Sequence, residues 1–225
     1  MNDGDPTFTE SAHHNDRIPF LEYKYDEFPQ WEGLGILKKL KSPRLIKSHL
    51  PVSLFPKSAL YKGCKVIYVA RNPKDVVVSY YHFYKTTVEF GEYGGDFHDF
   101  LKQFMNGKVH YGDWFTYMLE WWKYIADNDI LFLKYEDMKK DPRLATVKIA
   151  NYLNRNLSDE VIDKITEYCS FKKMKKHVTN ENNEGNYMRK GVIGDWKKHF
   201  TVAENEAFEK IYNERMEGSG LKFDW

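Results

Sequence analysis

"CKVIYVARNPKDVVVSYYHFYK", residues 64–85, changes character at its midpoint. Val66, Ile67, Tyr68 and Val69 form an apolar, largely β-branched run. It predicts a strand over 64–73, buried on both faces as in a parallel sheet under helices. Asn72-Pro73 stops the run, and Asn72 then reads as the N-cap of a helix over 73–85 with Pro73 at its first position. A strand that feeds directly into a helix is the repeating unit of an α/β layer fold.

The same alternation extends outward. "PRLIKSH" (43–49) and "DILFLKYED" (129–137) read as two more strands. Helices are predicted over 113–128, where Asp113 caps an apolar stripe, and over 144–153, 158–170 and 203–216. Two segments read as long loops of the lid or binding kind: 86–112, which holds Gly91, Gly94, Gly95, Gly107 and Gly112, and 172–195, basic and then Asn-rich. The expectation is one α/β domain over 1–225 with a central parallel sheet.

The 34 Lys and Arg against 33 Asp and Glu leave a net charge of +1, so an anion site must be local and a nucleic-acid coat is not expected. Two cysteines, Cys64 and Cys169, are too few for a disulfide framework and point to the cytoplasm. Neither an apolar leader nor a membrane-spanning run is seen. His13-His14 has no nearby third ligand, so no metal is expected, and "KKMKKH" reads as a solvated basic face.

Ligands of open α/β sheets bind beyond the carboxyl ends of the strands, and two charged groups fall there. Arg71 ends one strand beside a helix start, with Ser79 two turns on, which makes a phosphate cradle; the alternative is a plain ion pair between Arg71 and Asp75. Lys47 and His49 alternate along the 43–49 strand and share a side, so both can enter one pocket, with His49 a general-base candidate. "RKGVIGDWK" (189–197) sets Arg189 and Lys190 beside Gly191, where a bare backbone can approach an anion. It lacks the spacing of a Walker A loop, which disfavours a nucleotide kinase.

"RIPFLEY", "PRLIKSHLPVSLFP", "VIYVARNPKDVVVSYYHF", the Trp121-Trp122 helix, "YEDMKKDP" and "RKGVIGDWKKHFT" together resemble the cytosolic sulfotransferases, in order and spacing from about residue 17 to near the end. The resemblance implies sulfuryl transfer from 3′-phosphoadenosine 5′-phosphosulfate (PAPS) to a hydroxyl or amine of a small phenol, steroid or alcohol. It implies a three-layer fold similar to the P-loop hydrolases. His49 resembles the catalytic base and Lys47 the cation on the transferring group. Arg71 and Ser79 resemble the pair that holds the 3′-phosphate, joined by Arg189, Lys190 and Gly191. Tyr135 resembles a tyrosine beside the cofactor, and Phe171 the ring packed on adenine. Lys197, Thr201, Val202 and Glu206 match the family's Lys-x-x-x-Thr-Val-x-x-x-Glu motif and imply a homodimer; Thr201 with Glu204 also reads as a helix cap.

The chain departs from the pattern in three places. The family's first strand and its Tyr-Pro-Lys-Ser-Gly-Thr-Thr-Trp loop, which hold the 5′-phosphosulfate, are expected upstream of Met1 and are not found in the chain. That leaves an alternative open: a fragment, truncated gene model or short isoform, catalytically impaired and acting as a dimerising or nucleotide-binding relative. "KKHVTNENN" replaces the family's Asn-Pro-Met-Thr-Asn, and Tyr117 stands where relatives often carry His.

Overall fold

The computed structural model describes residues 14–23, 33–87, 92–181 and 188–225. His13, the stretch before it and residues 182–187 of the expected lid lie outside them. The elements in chain order are α1 (His14–Arg17), α2 (Gly33–Lys39), α3 (Ser58–Tyr61), β1 (Val66–Ala70), α4 (Pro73–Thr86), α5 (Phe97–Met105), α6 (Trp114–Ala126) and β2 (Ile130–Lys134). They are followed by α7 (Tyr135–Lys140), α8 (Pro142–Tyr152), α9 (Asp159–Tyr168), α10 (Phe171–Glu181), a 3₁₀ turn (Asp195–Lys198) and α11 (Val202–Met216).

β1 and β2 pair in parallel, with Val66 opposite Ile130 and Ala70 opposite Lys134. Tyr152 of α8 fixes where they start: its hydroxyl accepts from Val66 N at 3.0 Å and donates to Asp129 O at 2.7 Å. Where β1 ends, Asn72 Oδ1 accepts from Asp75 N at 2.8 Å, and Pro73 opens α4 as the sequence predicts. Asp113 caps α6, and Thr201 with Glu204 forms a reciprocal capping box at α11.

Four expectations need correction. The 43–49 run is not a strand of the sheet: its one ladder contact among the described residues is a parallel bridge from Lys47 to Phe20. The run at 129–137 leaves the sheet at Lys134, because "YEDMKK" turns into α7 with its acidic residues at the helix start and its lysines at the end. The 86–112 segment contains α5, where Phe97, Phe100, Leu101 and Phe104 recur at helical spacing and are all buried. Likewise α10 occupies the first part of 172–195.

β1 also differs from a strand buried on both faces. Ile67 and Val69 are 37% and 52% exposed, and both look into a large open cleft. Its other side rests on a core in which Val77 and Val78 of α4, Phe100 and Leu101 of α5, Phe115 and Met118 of α6 and Phe208 of α11 are almost fully buried. The C-terminus closes this core. Trp122 Nε1 donates to Ser219 O, Phe223 N donates to the Tyr212 hydroxyl, and the Trp225 ring packs on Tyr212.

A lysine is entombed there. Lys74, fully buried in the first turn of α4, donates to Asn205 Oδ1 and Glu209 Oε1 at 2.6 Å each. Its ammonium lies between the rings of Trp196 and Trp225, 4.1 and 4.3 Å from their centroids. α4, which carries Arg71 at its mouth, is thereby fastened to α11 and to the chain end.

Candidate active site

The bridge at Lys47 builds one wall of the cleft. Lys47 N donates to Pro19 O and Leu21 N donates to Lys47 O, so "RIPFLEY" runs beside "IKSHLP". This pairing brings Lys47 and His49 to one edge, as their alternation predicts, and adds Phe20 and Glu22 from the opposing segment. The Lys47 ammonium sits 4.1 Å from the Phe20 ring centroid, and burial pushes its pKa down to about 8. Phe20 and Tyr111 flank the His49 imidazole at 5.2 and 5.3 Å. Tyr117 and Trp121 of α6 hold the backbone behind it: the Tyr117 hydroxyl donates to His49 O, and Trp121 Nε1 donates to Leu50 O.

Arg71 stands at the carboxyl end of β1, where the fold places ligand-binding groups. Its guanidinium lies 4.5 Å from the Tyr135 ring centroid, donates through Nη2 to Val192 O at 3.1 Å and approaches Asp75 Oδ2 at 3.8 Å. The pairing with Asp75 is real but loose. Arg71 Nε is buried without a hydrogen-bond partner among the described residues, a donor that an anion's oxygen would satisfy. Ser79, two turns along α4, lines the same cleft.

Asp75 has another task. Its buried carboxylate accepts from Gly194 N at 2.7 Å and Trp196 N at 3.1 Å, and from Asn72 Nδ2 at 3.0 Å. Asn72 in turn donates from N and Nδ2 to Glu136 Oε1, each at 2.9 Å. A buried polar chain from α7 through the α4 cap thus sets the position of the 189–194 loop. Within that loop Gly191 adopts φ +63°, and a Cβ there would stand 2.2 Å from Phe171 Cδ2. Phe171 and Gly191, far apart in sequence, are in face contact because the residue is glycine.

Arg189 and Lys190 do not project alone. Both pair with Asp195, Lys190 at 2.8 Å, and His199 Nε2 lies 3.4 Å from the same carboxylate. Burial raises the Asp195 pKa, but the Lys190 and Arg189 donors outweigh it and hold the carboxyl well below its usual range. A guanidinium has five N–H donors and an ammonium three, so each keeps donors for a second anion. His82, against this cluster, is pushed down to about 4 by burial and by the charges of Arg189, His199 and Lys190, and stays neutral at pH 7.

The cleft has a volume of about 1990 Å³ and is lined by Lys47, His49, Arg71, Ser79 and Arg189 together with Phe20, Phe83 and Tyr111. Tyr135, Phe171, Lys190 and Gly191 gather behind Arg71 instead. Tyr84 does not line the cleft: its hydroxyl accepts from His110 N at 2.6 Å. The described residues contain no His, Cys, Asp or Glu group able to hold a metal ion. Sequence reasoning missed Glu22, Glu136 and the role of Asp195. An acid directly after Gly194, in a stretch otherwise charged by Arg189, Lys190, Lys197 and Lys198, was the available signal for Asp195; none marked Glu22.

The chain as a whole is similar to known proteins. A family model described as "Sulfotransferase domain" matches residues 1–220. The chain belongs to the sulfotransferase family. Dog sulfotransferase 1B1 is 43% identical over 217 residues, covering 92% of this chain and 73% of that protein. Mouse sulfotransferase 1A1 is 46% identical over 222 residues, covering 92% and 74%. Among solved structures, mouse sulfotransferase SULT7A1 complexed with PAP matches with a TM-score of 0.77 at 33% identity, over 84% of this chain and 71% of that one. Retinol dehydratase in complex with androsterone and inactive cofactor PAP matches at 0.78 and 28% identity, over 97% and 68%. The sulfotransferase is therefore an α/β enzyme of sulfuryl transfer, and the family's co-substrate is PAPS. Among the described residues no helix is long and apolar enough to cross a membrane.

Proposed function

We propose that this sulfotransferase moves a sulfuryl group from PAPS to the hydroxyl or amine of a small apolar acceptor, with His49 as general base. The observation that carries the reading is the convergence, in one cleft, of Lys47 and His49 from one segment with Arg71 from another, whose buried Nε has no hydrogen-bond partner among the described residues. The co-substrate supplies the activated sulfuryl group; the chain supplies charge and proton transfer. Arg71 and Ser79 would take the 3′-phosphate, with Arg189 and Lys190 closing on it and Tyr135 and Phe171 walling the nucleotide. The His49 imidazole would remove the acceptor's proton as its oxygen or nitrogen bonds to sulfur, while the Lys47 ammonium offsets charge spreading over the sulfuryl oxygens. The acceptor's apolar body would lie along Phe20, Phe83 and Tyr111, which fits a phenol, steroid or alcohol.

We read residues 1–225 as one domain, supported by a core that runs from Ala70 to Phe223. A cytoplasmic location is supported by two free, exposed cysteines. A homodimer through Lys197, Thr201, Val202 and Glu206 is supported by Val202, 76% exposed at the start of α11.

The test is calorimetric titration with adenosine 3′,5′-bisphosphate (PAP) against adenosine 5′-monophosphate, on the native chain and on Arg71→Ala, followed by turnover of His49→Ala. Selective loss of PAP binding in the arginine variant and loss of turnover alone in the histidine variant are expected. Equal loss of both nucleotides would remove the 3′-phosphate assignment, and a His49→Ala enzyme that turns over like the parent would remove the base.

A further inference from the structure

Glu22 arrives at His49 from a segment 27 residues earlier, carried there by the backbone pairing of residues 19–21 with Lys47. One carboxylate oxygen, Oε1, does two things: it accepts from His49 N at 2.6 Å and lies 3.6 Å from His49 Nδ1. The other, Oε2, is buried without a hydrogen-bond partner among the described residues. Glu22 is itself only 13% exposed, whereas His49 is half open to the cleft, 53% exposed. The Nδ1 edge of the ring thus faces the Glu22 carboxylate, and Phe20 and Tyr111 flank the ring.

We infer that Glu22 is the positioning residue of the general base: its carboxylate fixes the Nδ1–H tautomer of His49, aims Nε2 into the cleft and stabilises the imidazolium that forms when the acceptor proton is taken. The inference rests on the reading of His49 as the base. A carboxylate behind an imidazole does this work wherever a histidine must both accept a proton and keep its orientation. Burial raises the Glu22 pKa, but its bonds from His49 lower it further, so the group is an anion at neutral pH. The other charged or titratable groups facing the ring are Lys47, two residues along the same segment, Tyr111 across its face, and Tyr117, whose hydroxyl reaches the His49 carbonyl rather than the ring. Of these, Glu22 is the anion.

Glu22→Gln separates the roles, because the amide oxygen can still accept from His49 N while the charge is gone. Histidine ¹⁵N NMR, with the His49 signal assigned by its loss in His49→Gln, reads the tautomer and the titration directly. The native ring should carry its neutral-state proton on Nδ1. The ring's titration should move down in Glu22→Gln, where the facing charge is gone, and recover in Glu22→Asp. With 4-nitrophenol as acceptor, kcat should fall about tenfold with PAP affinity unchanged, and the acidic limb of the kcat/KM profile should move down with the ring. An unchanged ring titration and tautomer in Glu22→Gln would overturn the inference. A shifted ring with an unmoved kinetic limb would leave Glu22 as the partner of His49 and remove His49 as the base.

Discussion

Removing the Asp75 carboxylate should loosen the anion-binding loop from the helix that carries Arg71. Asp75 is 1% exposed, and its two oxygens receive Gly194 N at 2.7 Å, Trp196 N at 3.1 Å and Asn72 Nδ2 at 3.0 Å. Each hydrogen bond to a charged group contributes about 1.5–3 kcal/mol, and a buried amide left unpaired costs about 1–3 kcal/mol. Asp75→Ala strips three donors, though water can re-enter beside Gly194, which is only half-buried. A net loss of about 3 kcal/mol is the reasonable scale, which for a chain of this length lowers Tm by about 6–12 °C. Asp75→Asn keeps one acceptor but turns an NH₂ toward the second donor, so it should lose less. Differential scanning calorimetry reads the stability, and PAP titration reads the site: both should fall together, because the loop that buries Gly191 against Phe171 hangs on these bonds. A normal Tm with normal PAP affinity in Asp75→Ala would refute the claim that this carboxylate sets the loop.

Three further outcomes follow from the site. Lys47 titrates near pH 8, so its charged form is lost as pH rises through that value; turnover should decline above about pH 8, and Lys47→Arg, which stays protonated, should lose that alkaline limb. Persistence of the limb in Lys47→Arg would assign it to another group. Gly191→Ala introduces a side chain at φ +63° and 2.2 Å from the Phe171 ring; if the loop shifts to relieve a penalty of about 1–2 kcal/mol, PAP affinity should fall about five- to thirtyfold. Unchanged calorimetric affinity would detach Gly191 from the site. Val202→Glu, at an exposed position, should convert a dimer to a monomer in light scattering with Tm unchanged, and an unaltered mass would discard the motif as the interface.

What could be read from the chain, and what could not, divides along the range of the forces involved. The 64–85 unit was legible because everything that makes it is local: β-branched residues, then a side chain that caps a helix three residues on, then a proline with φ already set. The caps at Asp113 and Thr201 were legible for the same reason. The 43–49 run has the composition of a strand, yet strand formation needs a hydrogen-bonded neighbour, and the described residues give it only Phe20. Composition cannot report a partner. α5 was legible in principle, its apolar spacing being regular; three glycines before it and two after it outweighed a nine-residue stripe.

The site shows the same division with one addition. His49, Lys47 and Arg71 were found because their residue types carry chemistry and sit at segment ends. Of the acids that organise them, Glu22 and Glu136 were not, and Asp75 was read only as a partner of Arg71, since they act across 27, 64 and 119 residues of sequence. Their common feature is physical rather than sequential: each is a buried or nearly buried carboxylate whose desolvation is offset by backbone or side-chain amide donors brought in by the fold. A buried acid beside a basic functional residue therefore marks the framework of an anion site as surely as the bases mark its mouth. In this chain the framework runs unbroken from Glu136 through Asn72 and Asp75 to Gly194, so one chain of hydrogen bonds ties the mouth at Arg71 to the loop beyond it.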